Sequence, residues 1–73
     1  MYYVYLLVNK KDGRKYIGYT SDLRRRVKEH KSKDAWVLVY YETYPKKEIA
    51  QERERSIKRS GSIRKNLYRR LGL

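Results

Sequence analysis

The tightest constraint on this chain is a turn signal set between two strand-like runs. Residues 2–8 (YYVYLLV) are rich in β-branched and aromatic side chains and too short for a typical helix, so they read as a strand. Asn9-Lys10-Lys11-Asp12-Gly13 follows with turn chemistry, and Asp-Gly is a strong hairpin signal. Residues 14–19 (RKYIGY) are therefore expected to return antiparallel. Gly18 weakens that strand unless something must approach its backbone closely. Thr20-Ser21-Asp22 supplies oxygen side chains to cap a helix over residues 23–31, with Leu23 and Val27 one turn apart. Residues 36–41 (WVLVYY) are apolar on both alternations and read as a strand covered on two faces. Pro45 is expected in the first turn of a second helix that runs to about Ser60. Gly61 is placed at its C-terminal cap, and Ser62 at the cap of a third helix through Leu71. The order β-β-α-β-α-α predicts an α+β domain, with helices packed on a three-stranded, mainly antiparallel sheet.

Seventy-three residues allow one small domain, expected to span 1–73, with a thin core. Charged residues make up 38% of the chain, which would suit a disordered one; the periodic placement of the apolar residues decides for a folded one. Lys and Arg number 20 against 8 Asp and Glu, a net charge of +12. Such a field points to a polyanion, most simply nucleic acid, and reads phosphate rather than any base. The absence of cysteine excludes disulfides and Cys-based zinc sites, and the single His excludes a multi-histidine cluster. No apolar run reaches membrane-helix length and no leader with a cleavage site is visible, so a cytoplasmic protein without membrane contact is expected.

Function is easiest to locate where polar groups lie on faces that packing would fill with carbon. On a helical wheel His30 falls about 20° from Leu23 and Arg26 about 60° from it, and the i, i+4 spacing makes the two neighbours. The bland alternative is an Arg stem covering apolar surface and a His satisfied by a backbone group. In the second helix Glu54 lies about 40° from Ala50, at the edge of the stripe formed by Ile49, Ala50 and Ile57. A carboxylate there costs desolvation unless it is paired or metal-bound. Arg53 lies in the same stripe, so a plain Arg53–Glu54 ion pair is the alternative; Glu52 points away. Nine tyrosines with no phenylalanine indicate that the phenolic oxygens matter, by stacking on bases or reaching phosphate, against the alternative of aromatics whose tips simply reach the surface. One carboxylate, one Arg, one His and several Tyr exclude a two-metal nuclease, which needs several converging carboxylates, and leave one-metal phosphoryl transfer open.

These residues, in this order, resemble the GIY-YIG nuclease superfamily. Its strand motifs correspond to Tyr3-Val4-Tyr5 and Tyr16-Ile17-Gly18. Its helix motifs correspond to Arg26 with His30, and to Glu54-Arg55-Ser56-Ile57-Lys58. The runs MYYVYLL, YIGYTSDLRRRVKEH and LVYYETY look like the small stand-alone members, which are related to the nuclease domain of the bacterial excision-repair C subunit. The resemblance implies an endonuclease that hydrolyses phosphodiester bonds in DNA with one divalent cation, Mg²⁺ or Mn²⁺. By that resemblance Glu54 holds the metal, and Tyr5 orients or deprotonates the attacking water. Tyr16 assists the water or fixes the phosphate, Arg26 stabilises the pentavalent charge, and His30 bonds the phosphate or relays a proton. Expected nucleic-acid contacts are Gly18, Tyr19, Arg24, Arg25, Lys58, Arg64 and Arg69. The chain departs from the family pattern at Tyr3, where the name expects Gly, and at Tyr19, where repair relatives carry Lys. The segment 31–35 is short, and Asn66 matches no metal-shell motif. DNA structure or damage, rather than sequence, is the expected address, with a role in DNA repair. A non-catalytic nucleic-acid-binding module that keeps this fold is the alternative, and a homodimer or partner protein is a further expectation.

Overall fold

A computed structural model describes the whole chain, Met1–Leu73. Strands β1 (Tyr2–Asn9) and β2 (Lys15–Thr20) form the expected hairpin, and Gly13 takes the positive φ of 75° that its turn requires. Helix α1 (Leu23–Lys33) follows, then β3 (Trp36–Tyr44), α2 (Lys47–Arg59) and α3 (Gly61–Arg70). The sheet is antiparallel throughout in the order β2-β1-β3, so the first strand is the central one. The α+β class and the element order match the reading of the sequence.

On one face Val4, Leu6, Ile17, Ala50, Ile57 and Leu67 form the carbon core. Helix α2 packs on all three strands and α3 packs on α2. Alternation along β1 sends Tyr3, Tyr5 and Leu7 to the opposite face, where α1 lies against β3 without burying a residue of its own. Asp22 caps α1 by accepting a hydrogen bond from the Arg25 amide at 3.1 Å. Asn9 belongs to the end of β1 rather than to the turn and is fully buried. Its amide group donates to Asp34 at 3.0 Å, tying the hairpin to the far end of α1.

Three local expectations are corrected. Strand β3 is longer than residues 36–41 and is not covered on two faces: Val39 and Tyr41 are exposed and burial alternates along it. It is an edge strand, and its aromatic rings keep their tips in water. A register shift between Leu6 and Leu7 makes Val39 an extra, bulged residue. Pro45 precedes α2, whose N-cap is Lys46. Ser60, not Gly61 or Ser62, joins the last two helices. It ends α2 and caps α3, its hydroxyl accepting from the Ile63 amide at 3.2 Å.

Candidate active site

Tyr5 stands at the centre of the α1 face. It is paired in register with Gly18 on one side and Tyr41 on the other, and its side chain is almost wholly buried. Gly18 is where its ring fits: a Cβ there would fall on the Tyr5 hydroxyl, within 2.5 Å of the ring carbon that bears it and 2.9 Å of the Tyr16 ring. The missing side chain of Gly18 thus makes room for Tyr5. The close approach that weakens this strand is internal to the protein.

Helix α1 brings His30 over the same spot. Its Nε2 lies 3.4 Å from the Tyr5 hydroxyl, and its ring centre lies 4.8 Å from that of Tyr16. Trp36 walls the group, with ring centres 6.2 Å from Tyr16 and 6.3 Å from His30. Burial pushes the Tyr5 hydroxyl up to about 12, with Tyr16 adding to the rise and the Arg26 charge opposing it. Burial, then the positive charges of Arg26 and Lys33, hold His30 below its usual 6.5. At neutral pH the site therefore contains a Tyr5 that keeps its proton and an uncharged His30 able to accept one. Arg26 lies beside them. Its Nε is buried and makes no hydrogen bond, although the Glu29 carboxylate is 3.3 Å away. A guanidinium beside two phenols, countered only by a carboxylate of its own helix, can also donate to an anion that enters the site.

Glu54 lies on α2, which packs on the other face of the sheet. Its partner is Lys58 at 3.3 Å, one turn on, and Lys58 shares a hollow at the β2 edge with Lys15, Tyr16, Arg64 and Tyr68. Arg53 does not pair with Glu54. Adjacent helical residues point about 100° apart, and Arg53 instead clasps Glu42 of β3 through two bonds of 2.9 and 3.0 Å. The hydroxyls of Tyr40 and Tyr44 donate to the same carboxylate at 2.6 and 2.5 Å. Burial alone would raise the Glu42 carboxyl, but the bonds from Arg53, Tyr40 and Tyr44 outweigh it and bring it down to about 2. The sequence reading gives Glu42 and Trp36 no role of their own in a site. For Glu42 the signal is legible afterwards: in Tyr40-Glu42-Tyr44 the three alternate onto one sheet face, opposite an Arg embedded in an apolar stripe.

The structure thus gathers Tyr5, Tyr16, Arg26 and His30, and sets Lys58 in the hollow beside Tyr16, with Glu54 reached only through its ion pair to Lys58. It does not bring all the expected nucleic-acid contacts there. Tyr19 stacks on Tyr2 and packs against the carbon core. Arg64 donates to the Ile57 and Lys58 carbonyls, fastening α3 to the end of α2, while Arg24, Arg25 and Arg69 are exposed.

Comparison with known proteins agrees with this fold. The solution NMR structure of the UPF0213 protein BH0048 from Bacillus halodurans is similar, with 34% sequence identity and a TM-score of 0.65 over 97% of this chain and 85% of that one. No curated protein matches the chain. Residues 1–69 match the GIY-YIG catalytic domain, and that span contains both tyrosine motifs, the Arg26–His30 turn and Glu54. Matched over residues 1–69, the chain belongs to the GIY-YIG nuclease family.

Proposed function

We propose that this protein is an endonuclease that hydrolyses phosphodiester bonds in DNA, directed by the structure or damage of its substrate rather than by base sequence. The observation that carries the reading is the Tyr5 hydroxyl 3.4 Å from the uncharged ring of His30, with the Arg26 guanidinium beside both. The +12 charge supports a phosphate-reading, sequence-blind partner. No cluster of three or more His, Asp or Glu side chains is present to cage an ion. The donor set instead fits Mg²⁺ or Mn²⁺, ions commonly held by one carboxylate, water and substrate phosphate together.

Glu54 would hold that ion, which when bound polarises the phosphoryl group and offsets charge on the leaving oxygen. Arg26 donates to the phosphate as negative charge builds on it; losing such a donor costs on the order of 10²–10³ in rate. The attacking water gives its proton toward His30 by way of Tyr5. The phenol accepts the water's hydrogen as it passes its own to Nε2, so Tyr5 never has to exist as a free phenolate. Tyr16, at the rim, orients the water or the phosphate. A role in DNA repair in the cytoplasm follows from this reading.

The alternative of a binding module has Arg53–Glu54 pairing as its signature. Arg53 is committed to Glu42 instead, leaving Glu54 with only an exposed lysine. Cleavage of plasmid and branched DNA with Mg²⁺ or Mn²⁺, comparing the native protein with Glu54→Gln, tests the proposal. The native protein is expected to cut, and the variant to bind DNA without cutting. Equal cutting by both would remove Glu54 from the mechanism, and binding without cutting by both would establish the module.

A further inference from the structure

Helix α1 is a ridge with a different surface on each flank. Arg26 and His30 turn toward Tyr5 and Tyr16. On the flank toward β3 lies a groove of about 580 Å³ that the mechanism above does not use. Its floor is the half-buried Leu23 and Val27, and its far wall is Tyr3 and Tyr41. The two tyrosine rings meet edge-on, 6.2 Å apart at 63°, and Tyr41 is 52% exposed, so a broad aromatic face is left open. The near wall carries Arg24, Lys28 and Lys31 at i, i+4 and i+7, a row about 10 Å long. None of the three has a carboxylate partner, unlike Arg14, Arg26, Arg53 and Lys58. The acid lining the groove, Asp22, is occupied in capping α1.

We propose that this groove binds an unpaired segment of DNA, with bases stacked on Tyr41 and Tyr3 and phosphates held by Arg24, Lys28 and Lys31. Open aromatic faces opposite a row of unpaired cations are the two elements that single-strand sites combine. A duplex keeps its bases stacked inside and cannot offer them to Tyr41. A second copy of this chain is disfavoured as occupant, because it would bring a further +12 against the same cations. The proposal rests on reading DNA as the substrate and names the part of it that is gripped. Because α1 separates groove and candidate site, a strand on one flank leaves the other free.

The test is fluorescence anisotropy with labelled (dT)12 and a 12-base-pair duplex, in EDTA so that no cleavage intervenes. Tyr41→Ala is expected to weaken (dT)12 binding at least about fivefold and to leave duplex binding within about twofold. Tyr41→Phe retains the ring and should match the native protein. Lys28→Gln should lower the slope of log K against log salt for (dT)12 by about 0.7. Equal loss on both DNAs, or no loss on (dT)12, overturns the proposal. So does sedimentation showing a native dimer that Tyr41→Ala dissolves. Failure of the nuclease reading would show separately, as absent cleavage by a native protein whose (dT)12 binding still depends on Tyr41.

Discussion

On the α2/α3 side of the sheet, Val4, Leu6 and Ile17 close against Ala50, Ile57 and Leu67 in one buried carbon core. The polar groups there, Glu42 and Arg53, are bonded to each other and to two tyrosines. On the α1 side the same strands present Tyr5 and Tyr16 beneath a helix that buries none of its residues. The Arg26 Nε there makes no hydrogen bond and is countered only by the Glu29 carboxylate of its own helix, 3.3 Å away. One face is given to stability, and the other keeps Tyr16 and Arg26 partly open to something that arrives from outside. In a chain this small both cannot be done on one surface. The sheet separates them by the alternation of its residues.

The division can be broken by substitution. Ile57→Ala, on the carbon face, is expected to cost about 2–5 kcal/mol, enough to unfold much of a domain of this size, as read by the urea midpoint. A small shift would mean the two faces share the load. Arg26→Ala, on the other face, is expected to lower cleavage by about 10²–10³ while moving the midpoint little. A large loss of stability would make Arg26 a structural residue. The third test uses pH. The Glu42 carboxyl falls from 4.5 to about 2 on folding, so its contribution is complete above 4.5 and is lost as pH drops toward 2. That contribution is about 3 kcal/mol, and Glu42→Gln should flatten this acid limb of stability without altering the cleavage rate of the folded protein at neutral pH. An unchanged acid limb would mean that Arg53 and the tyrosines do not hold the carboxylate in the folded state.

Much of this arrangement was readable along the chain, and the misreadings share a cause. The β1–β2 hairpin and the Asp22 cap are local, written in neighbouring residues, and both are found as expected. Arg26 and His30 were placed on the inner side of α1 by their spacing from Leu23, and the His30–Tyr5 approach agrees. What went wrong depended on partners distant in sequence. Glu54 is the one partner that spacing offers Arg53, as the alternative reading has it, because Glu42, eleven residues earlier on β3, gives no sign of proximity by spacing alone. The coverage of β3 was overestimated because Trp, Val and Tyr read as buried in a string, whereas an edge strand with a bulge at Val39 turns some of them outward. Gly18 was rightly singled out as a close-approach position; that the visitor is the Tyr5 ring, not a ligand, needed the pairing register.

The central place of β1 has a consequence for how the molecule comes into being. This strand precedes both of its neighbours in the chain, yet lies between them. Its pairing with β2 can form early, across a short loop. Its pairing with β3, which joins Tyr2 to Tyr44, must wait until α1 and the whole of β3 have been made. During synthesis the nascent hairpin therefore carries one unpaired backbone edge, and Tyr5 is enclosed only when β3 arrives.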